Sequence, residues 1–229
     1  CRKEIFTKDP ADKLLFSSDT VQFDTIFTGI GSTTKYLIVK NSNKNKSINI
    51  DRIYLANGKA SKYRLNIDGH KADKDYILED YALAPGDSLF IFVEVTINPS
   101  ADDLVEQDSI IFESNGNSQD VDLVAFGQNV TLLSGRMITQ DTTWNADKPV
   151  LIYNSAMVDT LVTLTVMPGA KVYFHRNSSL FVKGTLKSLG VIDNRVTFTG
   201  DRLEEYYRYT PGQWGAYLRD ETGNTRGIY

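Results

Sequence analysis

Cysteine occurs once in 229 residues and histidine twice. A single Cys permits no internal disulfide, and the distant His70 and His175 cannot build a His/Cys zinc site. Basic surplus is also missing. Lys and Arg number 25 against 29 Asp and Glu, leaving a net charge of -4 and a pI near 5.3. That balance argues against nucleic acid as the main partner, because no excess cation is present to neutralise phosphates. Apolar runs such as residues 89–93 are far shorter than the roughly 18 residues that a membrane-spanning helix needs, and mean hydropathy is -0.28. No G-x-S-x-G, P-loop or G-x-G-x-x-G is present. His70, between Gly69 and Lys71, and His175, beside Arg176 and Asn177, both read as solvated loop residues. Neither a catalytic residue, a metal site nor a cofactor is indicated.

What is present is ordinary globular composition, 41% hydrophobic and 24% charged, in a length suited to one large domain or two of common size. Residues 2–19 are polar and lack a sustained period of either kind, so they read as a tether. From Val21 the pattern is β: Val21, Phe23, Thr25 and Phe27 alternate with Gln22, Asp24 and Ile26. Further strands are expected over 35–39, 47–55 and 62–67. The clearest runs over 88–97, with Leu89, Ile91, Val93, Val95 and Ile97 on one face and Phe90, Phe92, Glu94 and Thr96 on the other. Strands over 107–113 and 120–126 follow, joined by a hairpin turn at Ser114-Asn115-Gly116-Asn117. Such a series over about 110 residues predicts an all-β, two-sheet sandwich.

After Gly127 the rhythm changes. Leu164-Thr165-Val166, Val172-Tyr173-Phe174, Leu180-Phe181-Val182 and Val196-Thr197-Phe198 are short units with apolar first and third residues. Pro168-Gly169, Asn177-Ser178, Gly184 and Gly190 punctuate them. Two readings compete: a coil of short parallel strands whose inward residues stack from coil to coil, and antiparallel hairpins of equally short strands.

These residues resemble a known family plan. Val21–Thr28, Gly31–Lys35, Ala84-Pro85-Gly86-Asp87-Ser88 and the closing Val124–Gln128 resemble the immunoglobulin-like module of Bacteroidetes cell-surface lipoproteins. Leu164–His175, Leu180–Leu186, Val196–Arg202 and Pro211–Gly215 look like the opening coils of a right-handed parallel β-helix. The resemblance implies a tether over 1–19, an Ig-like β-sandwich over 20–128 and a short parallel β-helix over 135–229. A solenoid of few coils without a cap exposes an apolar end, so a longer parent protein is expected.

Cys1, followed by a polar stretch, is expected to carry the lipid of a processed bacterial lipoprotein, since more than one acyl chain anchors stably. Lys3-Glu4 partly resembles the sorting signal of surface-exported lipoproteins, with Ile5 where a second acid is expected. The tripeptides beginning at Asp19, Asp24, Asp87, Asp108, Asp141 and Asp159 resemble Bacteroidetes O-glycosylation acceptors at Thr20, Thr25, Ser88, Ser109, Thr142 and Thr160. Asp-Ser/Thr is equally good turn chemistry. Tyr206, Tyr207, Tyr209, Trp214 and Tyr217, set among Arg202, Arg208 and Arg219, are candidates for contact with a protein or a glycan. A loop folded over the side of the β-helix is the competing reading. Asp193 and Asp201 read as isolated acids near corners. The expectation is therefore a non-catalytic, surface-exposed lipoprotein of the outer membrane. Its partners would be a transporter of the TonB-dependent type or another lipoprotein, and a polysaccharide. A truncated β-helix polysaccharide lyase or hydrolase is the alternative.

Overall fold

The computed structural model describes residues 5–71, 77–99, 104–204, 207, 214, 227 and 228. They form an all-β protein containing a β-solenoid of about three turns. The chain divides into two compact units, Cys1–Gln128 and Asn129–Tyr229.

The first unit holds β1 (Leu14–Phe16), β2 (Thr20–Phe27), β3 (Lys35–Asn41), β4 (Ile48–Leu55), β5 (Tyr63–Ile67), β6 (His70–Lys71), β7 (Leu78–Leu83), β8 (Ser88–Val95), β9 (Val105–Ser114) and β10 (Asn117–Gln128). They make two five-stranded sheets, ordered β1-β3-β8-β5-β6 and β2-β10-β9-β4-β7. Inward residues of both sheets, among them Leu37, Val39, Leu89, Ile91, Ile48, Ile50, Phe112 and Leu123, share one buried core. Period-two alternation is what allows this: β3, β5 and β8 give every second residue to the core, at about 1.5–3 kcal/mol per fully buried aliphatic or Phe side chain. The β9–β10 hairpin turns at Asn115 and Gly116, both with positive φ (50° and 75°). That geometry matches the twist of the flanking strands and is cheap for Asn-Gly.

The expected tether is partly docked. Leu14 is buried, and β1 pairs antiparallel with β3, Leu14 opposite Asn41. Gln119 reaches β1 from the other sheet: its Oε1 accepts from Leu14 N and its Nε2 donates to Leu14 O, both at 3.0 Å. A three-residue strand offers too short a pattern to be read from sequence.

The second unit holds β11 (Thr131–Ile138), β12 (Thr142–Trp144), β13 (Val150–Val158), β14 (Thr163–Val166), β15 (Lys171–Phe174), β16 (Ser179–Val182), β17 (Thr185–Ser188), β18 (Thr197–Gly200) and β19 (Gly227–Ile228). Every pairing among these strands is parallel, which decides against the hairpin reading. The eight-residue steps from Leu164 to Val172 to Leu180 are successive faces of one coil. Coil-to-coil steps are longer: 22 residues from Thr163 to Thr185 and from Val150 to Val172, and 26 from Lys171 to Thr197. Inward columns such as Val150–Val172–Phe198 and Val158–Val182 stack along the axis within a second apolar core.

Corners are set by backbone chemistry. Gly135, Asn154 and Asn177 have φ of 59°, 61° and 65°, and each lies between the second and third faces of its coil. Gly184 meets a different demand. A Cβ there would lie 2.2 Å from Val162 O and 2.4 Å from Asp159 O of the preceding coil, so only glycine fits.

Candidate functional site

Parallel stacking places equivalent residues of successive coils in columns. Ile152 pairs with Phe174, and Phe174 with Gly200. The next residues are therefore neighbours: Tyr153, His175 and Asp201. Backbone bonds continue the alignment, with His175 N donating to Ile152 O at 2.9 Å and Asp201 N to Phe174 O at 3.1 Å.

The Tyr153 and His175 rings are stacked, centroids 3.9 Å apart and planes within 5°. On the other side His175 Nδ1 lies 2.6 Å from Asp201 Oδ2. The imidazole is 42% exposed and the carboxylate 11%. Burial raises the Asp201 carboxyl above the usual carboxylate range, and the hydrogen bond and charge of His175 oppose that rise. Burial, then the Asp201 charge, pushes the Tyr153 phenol up to about 12, so it stays neutral. A carboxylate that accepts Nδ1–H fixes the tautomer and leaves the Nε2 lone pair for an incoming proton or hydroxyl. The solvated histidine and the isolated acid expected from the sequence are thus a hydrogen-bonded pair. The two residues are 26 positions apart, a separation set by the length of the coil between them.

Next to this column, Arg202 Nε lies 3.0 and 3.2 Å from the two Glu204 carboxylate oxygens, and its guanidinium sits 4.0 Å from the Tyr207 ring centroid. Of the expected aromatic contact residues, Trp214 stacks on Phe174 at 4.2 Å and 14° and packs against the solenoid core. Tyr207 lies under Arg202. Tyr206, Tyr209, Tyr217 and Cys1, the residue expected to be lipidated, fall outside the described residues.

The candidate glycosylation hydroxyls are scattered over both units. Thr25 and Thr160 are exposed, while Thr20, Ser88, Ser109 and Thr142 are half-buried. Turn chemistry is visible at several: the Asp side chain accepts from the following N–H at Asp87-Ser88, Asp108-Ser109 and Asp159-Thr160, at 2.7–2.8 Å. Ser109 Oγ donates to Asp122 and Thr142 Oγ1 to Gln140 O. No group of three or more His, Cys, Asp or Glu suited to a metal is found among the described residues.

No protein-family model matches this chain, and no curated protein matches it. Among solved structures it is similar to a family 123 glycoside hydrolase from Clostridium perfringens, described for glycolipid glycan hydrolysis. The TM-score is 0.34 and the identity 7%, over 55% of this chain and 30% of that one. It is also similar to a protein of unknown function from Porphyromonas gingivalis W83, at TM-score 0.34 and 8% identity, over 55% of this chain and 59% of that one. The chain thus spans less than two thirds of either, and likeness at that level carries no argument about activity.

Proposed function

We propose that the chain acts as a non-catalytic, surface-exposed outer-membrane lipoprotein anchored through Cys1. It would be an accessory subunit or glycan-binding element of a nutrient-uptake complex built round a TonB-dependent transporter. In this reading the sandwich is Ig-like, the solenoid is the start of a right-handed parallel β-helix, and the source is a Bacteroidetes bacterium.

One observation supports the glycan-binding arm. On the face formed by β12, β14 and β17, Thr143, Thr165 and Lys187 are in register, as are Thr163 and Thr185. Leu164 and Val166 between them are buried, so the threonines face outward. Hydroxyls repeated at the sheet spacing of about 4.8 Å give a polysaccharide both donors and acceptors with little net charge. Affinity electrophoresis through gels containing neutral or acidic polysaccharides tests this. Retardation weakened by Thr165→Val supports the reading, and unchanged mobility in every polysaccharide sinks it. The anchor has its own test: Cys1→Ser should move the protein from the outer-membrane fraction to the soluble one, and retention in the membrane rules the anchor out.

A second reading, a β-helix polysaccharide lyase or hydrolase, is favoured by the His175–Asp201 pair. Release of unsaturated or reducing sugar ends, lost in His175→Gln, would establish it.

A further inference from the structure

The outer face of β1, β3 and β8 carries an apolar patch where a solvent-facing sheet is ordinarily polar. Leu15, Tyr36, Phe90 and Phe92 are 52%, 61%, 46% and 42% exposed, and Ile38 between them is half-buried. Register makes the group contiguous: Ile38 lies opposite Phe90 and Tyr36 opposite Phe92, with the Tyr36 and Phe90 rings 6.4 Å apart. One row beyond Ile38 comes Lys40 beside Ser88, with Leu15 paired to Lys40 on the adjacent β1. One row beyond Phe92, on the opposite side, comes Glu94, paired with Arg64. Thr34 Oγ1 donates to Glu94 Oε1 at 2.7 Å and holds the carboxylate at that end, while Arg64 Nη2 is 3.6 Å from it on the far side.

We propose that this face is a two-fold interface between two copies of the chain. The order of rows is what selects the occupant. Two copies laid face to face about an axis perpendicular to the strands bring each end of the patch onto the opposite end of the other. Ile38 and Phe90 then cover Tyr36 and Phe92, and Lys40 of each copy faces the end that carries Glu94 together with its partner Arg64. An axis along the strands would instead set the Lys40–Ser88 row of one copy against the same row of the other. Leu15 and Ile38 have no ring face to offer a sugar, and a rim of both signs gives an anionic lipid surface nothing to select. Four rows about 6.8 Å apart on three strands about 4.8 Å apart cover roughly 400 Å² per copy. Over both copies that is about 800 Å², below the range of stable interfaces, so the dimer is expected to be weak and transient, populated only well above micromolar concentration.

Sedimentation equilibrium of the chain over about 1 to several hundred µM tests this. A monomer–dimer equilibrium is expected. Phe92→Asp, on the solvent side of its strand, should weaken it at least tenfold with an unchanged melting temperature. Lys40→Glu and Glu94→Lys should each weaken self-association. An equimolar mixture of those two variants should associate more tightly than either alone, because both cross-copy contacts then pair opposite charges. A monomer at every concentration overturns the proposal. So does a dimer insensitive to Phe92→Asp, or a mixture no tighter than its components; in either case another surface or another partner holds the copies.

Discussion

At the residue scale, Asp201 and Gly184 illustrate two kinds of local constraint. The Asp201 carboxyl is raised in the folded state by burial, whereas in the unfolded chain it titrates near about 3.9. Between those values the folded protein keeps a proton that the unfolded chain has lost. Its contribution to stability is therefore present below about pH 3.9 and is lost as pH rises through the folded value. Asp201→Asn keeps an acceptor for His175 and removes the titration. Melting temperatures measured from about pH 3 to about pH 8 should show the variant gaining on the wild type as pH climbs through that window. Parallel curves would show that Asp201 titrates as an exposed acid. Gly184 is a steric case: a methyl group would press on two carbonyl oxygens of the preceding coil. Gly184→Ala is expected to cost about 1–3 kcal/mol, and an unchanged denaturation midpoint would show that the corner can yield.

The elements differ in how far the sequence reveals them. β8 was readable because one face of it meets the core and the other meets solvent, so Leu89, Ile91, Val93 and Val95 alternate cleanly with Phe90, Phe92 and Glu94. β13 was not. Val150, Leu151 and Ile152 are all buried, and its course bends at Asn154 with φ of 61°, so it shows neither alternation nor a Gly/Pro break. The coil of parallel strands was legible from its apolar units. The spacing between coils was not, because the corner loops vary in length, and the His175–Asp201 pairing was lost with it. β1 shows a further limit. What fixes it is a side-chain amide 105 residues away, bonded to both backbone groups of Leu14. Gln119→Ala should speed hydrogen exchange at the Leu14 amide while leaving exchange at Leu37 and Ile91 as it was. Equal acceleration at all three would mean that β1 is integral to the sandwich rather than pinned to it by that residue.

At the scale of the whole molecule, the two units are built on different contact logic. The first core joins strands distant in sequence, as where β10 pairs parallel with β2 within one sheet, and both sheets close on it. The second is assembled from neighbours one coil away, so its stability is close to a sum over adjacent coils. The residues of each apolar core belong to one unit alone. A cavity in either should therefore be felt first by its own unit. Leu164 is fully buried and stacks on Leu186 of the next coil. Leu164→Ala should destabilise the solenoid by about 2–5 kcal/mol. Because each coil supports the next, amides of β14 and β17 should lose protection together, and those of β3, β8 and β9 should keep theirs. Native-state hydrogen exchange resolved by residue gives the answer. Loss of protection spreading equally into β3, β8 and β9 would show that the two cores unfold as one cooperative body, and the separation drawn from their packing would fail.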